Sequence, residues 1–412
     1  MRILFVTPSL PSLPRGGASR RMQGLITGLA REHAVSVLAF VQPEEDQTAA
    51  IAAARDYCDE VVTVENERYG LSNRRKRVLQ MRSLASSKSF EHLVYYRPAL
   101  QAALDLMLAR TRYDIVNVEF CWMGYPRFST AARIVLDEHN IEYDILRRTA
   151  HGENQIARKL YNTVDFRKLR REERAIWRKF DACCLTSERD ERLLRHDLQS
   201  ARTAVVPNGA DTAFFRPQTA PPEPLTIAFF GQISYYPNTD GLLFFLREVM
   251  PRLKLTHPRV KLLIIGPSPP DVISAYEDDD VIITGVVDDI RLYLERASAI
   301  IAPLRIGGGT RLKILEAMAM GKPVVSTHIG AEGIDVTDGQ DILLADTAEE
   351  FAARVAQVLD DTALAHRLGD AARRLIEQRY DWQASVQQLA HLYQELLPAA
   401  VSPGRAVMGK AE

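Results

Sequence analysis

Apolar runs of strand length recur along the chain, separated by amphipathic segments of helix length. In the first half they cover residues 3–6, 35–40, 61–64, 115–118, 134–136 and 182–185. In the second half they cover 227–230, 262–265, 281–283, 300–303, 324–326 and 342–344. Short runs that are apolar throughout suit strands covered on both faces, and their alternation with helical segments predicts parallel α/β sheets. Between the halves stand Pro217, Pro221, Pro222 and Pro224, a break that few contacts should cross. The pattern therefore predicts two doubly wound domains, 1–205 and 206–383, followed by a helix and polar tail over 384–412. Open sheets of this kind bind ligands at the carboxyl ends of their strands, so a shared cleft is expected between them.

The most informative stretch is 300–327, which reads as strand, glycine loop, helix, strand. Gly307, Gly308 and Gly309 let the backbone turn close to a ligand, Thr310 is the expected helix N-cap, and Gly321 and Pro323 stop the helix. A helix entered in this way aims unpaired N–H groups and the positive end of its dipole at the loop, which favours a phosphate or diphosphate. Arg311 and Lys313 add charge. The spacing matches neither the P-loop nor the dinucleotide fingerprint, because Lys322 precedes a proline and no third glycine follows at the required distance. On a helical wheel Leu312, Ile314, Leu315, Met318 and Ala319 spread over the buried arc, opposite Lys313, Glu316 and Met320. Glu316 then lies behind the phosphate site, placed to accept hydrogen bonds from vicinal hydroxyls such as those of a ribose. The same spacing equally describes an exposed Lys313–Glu316 ion pair.

Composition narrows the classes. With 412 residues, 46% hydrophobic and 25% charged, the chain is long enough for two cores, and a net charge of -1 argues against a nucleic-acid surface. Cys58, Cys121, Cys183 and Cys184 show no framework or metal spacing and read as reduced core residues. The first apolar run breaks at Pro8, too early for a signal peptide, and no stretch reaches membrane-span length, so a cytoplasmic location is expected. Asp278-Asp279-Asp280 precedes a strand and reads as a solvated loop instead of a metal motif.

The segments PLRIGGGTRLKILEAMAMGKPVVST, VVPNGADTAFFRP and ITGVVDDIRLYLERASAIIAP, with the opening MRILFVTPSLPSLPRGGASRRMQGLITGLAREHAVSVLAF, resemble the family 4 (group 1) retaining glycosyltransferases of GT-B fold. The resemblance implies a nucleotide-diphosphate sugar bound by the second domain and an acceptor bound by the first. It makes Glu316 the ribose-binding glutamate, the second of the family's E-x7-E pair. It also places Val287 near the base, Gly231 and Gly17 near the diphosphate, and His139 at the transferring sugar. Glu142, near His139, is a candidate for the acceptor side. Of Arg20 and Arg21, one is expected to face the cleft, since cations at a helix start are unfavourable without a nearby anion; Arg20 is assigned to the acceptor side.

Two positions depart from the family's pattern. Gly308 stands where the first glutamate belongs, and GQISYYPNTDG after the strand at 227–230 lacks the arginine and lysine that grip the diphosphate. Arg311 and Lys313 are expected to supply that charge instead, since an uncompensated diphosphate in a closed cleft would be costly. Asn238 is expected to cap a helix starting near Thr239. The resemblance implies transfer with retention of configuration, and the lack of a nucleophile triad or ligand cluster beside the cleft motifs agrees with front-face transfer that uses no cofactor and no metal. A sugar-nucleotide epimerase or phosphorylase on the same scaffold, or a nucleotide-sugar-binding protein without catalysis, are the alternatives. The acceptor is a glycan, a lipid-linked molecule or a small molecule. Arg74-Arg75-Lys76-Arg77, with Val78, Leu79, Met81 and Leu84, reads as a solvated basic helix or as a peripheral membrane contact at the inner face.

Overall fold

The computed structural model describes residues 1–12, 16–42, 47–68, 70–152, 155–217 and 221–397. The first domain is built on β1 (Arg2–Thr7), β2 (Ala34–Val41), β3 (Glu60–Glu65), β4 (Ile115–Glu119), β5 (Arg133–Glu138), β6 (Ala182–Leu185) and β7 (Thr203–Val205). They form a seven-stranded sheet in the order β3-β2-β1-β4-β5-β6-β7. The second domain carries β8 (Thr226–Phe230), β9 (Lys261–Ile265), β10 (Val281–Gly285), β11 (Ala299–Ala302), β12 (Val324–Ser326) and β13 (Leu343–Leu344), in the order β10-β9-β8-β11-β12-β13. Neighbouring strands in both sheets pair in parallel.

Each apolar run named above became a strand. β7 was not foreseen: its three residues are half-buried at the sheet edge, too few to show a pattern. Each sheet reverses its strand order once, at β1/β4 and at β8/β11. A crevice opens at such a switch point, because the helices leaving the two central strands go to opposite faces. The segments leaving those four strands carry Gly17, Arg20, Gly231 and the glycine loop, while His139 and Glu142 follow β5 and Val287 follows β10.

After the second domain the chain returns. Asp381 caps the helix Trp382–Leu396, which lies against the helix Gly17–Leu29. The approach is close enough that a Cβ at Gly24 would stand 2.7 Å from Trp382, and one at Gly28 would stand 2.4 Å from Val386. Leu389, Leu392, Tyr393 and Leu396 then complete the first domain's core. The two crossings run side by side, with the Ala210 N–H donating to the Tyr380 carbonyl at 2.7 Å. Residues 398–412, including the expected polar tail, lie outside the described residues. All four cysteines are buried and free. Asp278 accepts the backbone N–H groups of Asp280 and Val281 in an exposed turn. No helix among the described residues is long and apolar enough to cross a membrane.

Candidate active site

The loop after β11 turns through Gly307 at φ 141 and Gly309 at φ 66, backbone conformations that a side chain would strain. The helix that follows, Leu312–Ala319, begins one residue later than expected, and Arg311, not Thr310, holds its N-cap position. Thr310 is instead turned toward the other domain, donating its hydroxyl to the Thr186 carbonyl at 3.4 Å. Arg311 folds back over the loop and donates to the carbonyls of Gly308 and Gly309. Burial pushes its pKa below the ordinary value.

Lys313 is the second residue of the helix. Its Nζ donates to Asn238 Oδ1 at 2.8 Å and sits 3.9 Å from the centroid of the Phe229 ring. Burial, reinforced by the charge of Arg311 and opposed by Glu316, brings its pKa down to about 7. Asn238 is not a cap: the helix already starts at Tyr236, and Asn238 bridges Lys313 to the Gln232 carbonyl, which its Nδ2 reaches at 2.7 Å. Gly231 completes this corner at φ 132, where a Cβ would lie 3.2 Å from Lys313 Nζ. Val287 belongs to the same cleft wall.

Glu316 is 3% exposed. The wheel placed it opposite the buried arc, yet the helix is buried almost all round because the first domain covers the remaining face. Arg20, from the helix Gly17–Leu29, reaches across the cleft and donates to Glu316 Oε1, while Oε2 is buried with no hydrogen-bond partner. Burial raises the Glu316 pKa against the pull of Arg20 and Lys313. The alternative reading, an exposed Lys313–Glu316 ion pair, gives way to a pairing between domains. Gly17 opens the helix at the cleft, after Gly16 at φ 104, and faces Leu312.

On the first-domain side Arg21 is buried and grips Asp137 through two bonds of 2.7 and 2.9 Å. His139, two residues on, lines the cleft. Its Nε2 lies 2.6 Å from Glu119 Oε2, and its ring stacks on Phe120 with centroids 3.9 Å apart. Burial, opposed by Asp137 and aided by Arg21, lowers the His139 pKa to about 3. Glu142 begins the helix Glu142–Gly152, with its carboxylate bonded to Asn140 Nδ2 at 3.3 Å and its pKa raised by burial. It stands behind Asn140 instead of among the residues lining the cleft.

Comparison with known proteins assigns both halves. The model described as Glycosyltransferase Family 4 matches residues 15–214, and that described as Glycosyl transferases group 1 matches residues 224–361. The chain belongs to the family 4, group 1 glycosyltransferases. Glycogen synthase of Mycobacterium tuberculosis is 26% identical over 426 residues, with 95% of this chain and 94% of the relative covered. D-inositol 3-phosphate glycosyltransferase of Corynebacterium efficiens is 28% identical over 53% of this chain and 57% of its own. Among solved structures, sucrose-phosphate synthase of Thermosynechococcus elongatus superposes with a TM-score of 0.74 at 18% identity, covering 96% of this chain and 99% of that one. HepE of Anabaena in complex with UDP-glucose gives 0.68 at 17% identity, covering 96% and 100%. The fold is GT-B, two Rossmann-like domains about a cleft.

Among the described residues of this glycosyltransferase two clusters have the composition of metal sites, Glu119–Asp137–His139 and Cys121–Glu138–Glu173. Their oxygens are already engaged. Arg21 holds Asp137, His139 and Asn117 hold Glu119, and Glu138 accepts the Cys121 N–H and Trp177 Nε1. Glu173 accepts the backbone N–H groups of Glu142 and Tyr143.

The glycosyltransferase also ties its domains together through residues that no motif marked. Arg148 makes two bonds to Glu332, of 2.9 and 3.1 Å, and Arg189 adds a third contact at 2.9 Å. Asp144, 2% exposed, orients both arginines from below. Glu119 and Phe120 were likewise missed. Their only trace in the sequence is their position at the end of an apolar run.

Proposed function

We propose that this glycosyltransferase takes its sugar from a nucleotide-diphosphate sugar and transfers it to an acceptor hydroxyl with retention of configuration, without a metal ion or cofactor. The observation that carries the reading is the cation pair at the glycine loop. Lys313 is satisfied by an amide oxygen and a ring face, and Arg311 by carbonyls, so neither has a hydrogen-bonded carboxylate among the described residues. Two positive charges held next to a helix start, with no anion of their own, suit a diphosphate. Glu316, with its bare Oε2, suits a ribose hydroxyl, for which Arg20 would give way.

Glycosyl–phosphate cleavage develops negative charge on the leaving diphosphate, so these donors stabilise the transition state more than the bound donor. A leaving phosphate oxygen is the base for the acceptor hydroxyl on the same face, which retains configuration and requires no protein nucleophile. Calorimetry with UDP, GDP and ADP sugars in the presence of EDTA, followed by NMR of the product's anomeric signal, tests this. Binding of none of them, or an inverted product, overturns it.

The relatives' names range from polysaccharide to inositol phosphate acceptors, so the acceptor class of this chain is open between glycan, lipid-linked and small molecules. The lipid-linked reading draws support from the helix Asn73–Leu84. It exposes Val78, Met81 and Leu84 at 46, 67 and 50% beside exposed Arg74, Arg75, Lys76 and Arg77. That combination suits a peripheral contact with an anionic bilayer at the cytoplasmic face. Co-sedimentation with phosphatidylglycerol vesicles, absent with phosphatidylcholine alone, is the expected result. Equal partitioning would remove it.

A further inference from the structure

The residue after β4, Phe120, has φ 67 and ψ 146, a backbone region that only glycine enters freely. Strain of this kind persists where the surroundings over-determine it, and here they do. The Phe120 N–H donates to the Asp137 carbonyl at 2.9 Å, and the next N–H, of Cys121, donates to Glu138 Oε2 at 3.1 Å. The unusual turn puts the Phe120 ring against His139 on one side, with centroids 3.9 Å apart and planes 27° apart, and against Trp122 on the other, 4.5 Å and 10°. Trp122 stacks in turn on Tyr95 at 5.2 Å. Four rings thus form a column that ends at the cleft with His139. Glycine at 120 would relax the backbone and break the column. The chain keeps the ring and the strain.

We propose that Phe120 is a positioning residue for transfer: its face sets the plane of the His139 ring, and its neighbour Glu119 sets the rotation within that plane by holding Nε2. Two consecutive residues therefore fix both angles of one imidazole. The carboxylate reaches Nε2 at 2.6 Å, and Glu119 is itself held by Asn117 Nδ2 at 2.8 Å, which the returning helix secures through the Tyr393 hydroxyl at 2.9 Å. Every link in this chain is buried. A ring so fixed presents its remaining nitrogen in one direction, which matters for a group that must meet a sugar hydroxyl within a narrow geometry. The inference rests on the reading of His139 as the residue facing the transferring sugar.

The test compares wild type with Phe120→Gly, Phe120→Leu and Phe120→Tyr, all as the full chain. Phe120→Gly relieves the backbone strain but removes a buried ring, the larger loss, so its melting temperature should fall somewhat while kcat falls by about 10- to 100-fold. The Kd for the donor nucleotide should stay within about threefold, and Phe120→Tyr should recover most of the rate. Phe120→Leu retains bulk without a flat face and should behave like Phe120→Gly in rate, which keeps the test open should the glycine variant fold poorly. Nitrogen-15 NMR of His139 supplies a readout independent of turnover: one tautomer in the wild type and in Phe120→Tyr, averaged or exchange-broadened signals in the other two. Unchanged kcat in Phe120→Gly, or an unchanged His139 spectrum, overturns the proposal. A shifted spectrum in a protein whose wild type turns over no nucleotide sugar would instead place the failure with the transfer reading.

Discussion

Lys313→Met should make the protein more stable and a poorer binder of nucleotide diphosphate. The lysine's pKa falls from 10.5 to about 7 on folding, chiefly through burial and then through Arg311. Between those two values the unfolded chain carries a proton that the folded one lacks, so stability rises with pH across that window; below about pH 7 the full cost of the buried charge is present. At 1.36 kcal/mol per unit, two pH units within the window correspond to about 3 kcal/mol. In a domain of this size that is roughly 5–10 °C in melting temperature. Methionine has the length to fill the space against Phe229 and does not titrate. The melting advantage of Lys313→Met over wild type should therefore be largest at pH 7 and should shrink by that amount at pH 9, read by calorimetry in matched buffers. Nucleotide-diphosphate affinity should fall by roughly 10- to 100-fold, the worth of a charged hydrogen bond. In the wild type, binding should take up a proton near pH 8, since the anion raises the amine's pKa. A melting difference that is constant from pH 7 to 9 would refute the burial argument, whatever the affinity does.

His139, with its pKa near 3 set by burial, is neutral throughout the working range, so His139→Gln should lower kcat without moving either limb of the pH–rate profile between pH 5 and 8. Loss of a limb in that variant would show that the imidazole titrates. Arg148 and Glu332 are partly exposed, at 30 and 23%, so their coupling should be modest, about 0.5–1 kcal/mol in a double-mutant cycle on the donor KM. Small-angle scattering of Arg148→Ala should show a larger radius of gyration; identical profiles would exclude a role in holding the domains together. Gly308→Glu should reduce kcat by at least about tenfold, because its Cβ would lie 2.7 Å from Ile145, and adding Ile145→Ala should return much of the loss.

What was legible in the sequence follows from where each signal originates. Apolar strands announce themselves locally, so twelve of the thirteen strands among the described residues were read from apolar runs alone and only the short edge strand Thr203–Val205 escaped. Gly307 and Gly309 were legible for a similar reason, since each answers a demand of its own backbone, a positive φ; Gly231, also at positive φ, was reached only through the family resemblance. Glu316 was legible as a position but not as a partner. Its bond to Arg20 spans 296 residues, and nothing in either local pattern encodes that pairing. Thr310 and Asn238 were misassigned as caps because short polar residues near a helix start serve that role by default; both were drawn away by tertiary partners, Thr186 in one case and Lys313 in the other.

Gly308 illustrates the same division at the site itself. Viewed along the chain, a glycine where the family's first glutamate belongs looks like a missing contact to the donor sugar. In the closed cleft it is a matter of room. A Cβ at 308 meets Ile145, and one at 309 would lie 2.3 Å from Asn140 Oδ1 and 3.1 Å from the His139 carbonyl. The loop thus packs backbone-first against the segment that begins with His139, and Arg148 extends toward the same loop, its Nη1 3.5 Å from the Gly307 carbonyl. A side chain at 308 would require Ile145 to shift. Room for a side chain at 308 is therefore limited by Ile145 of the opposite domain. Asn140 and the His139 carbonyl are among the first-domain groups that face this loop, so the space beside Gly308 is bounded from the opposite domain as well as from its own.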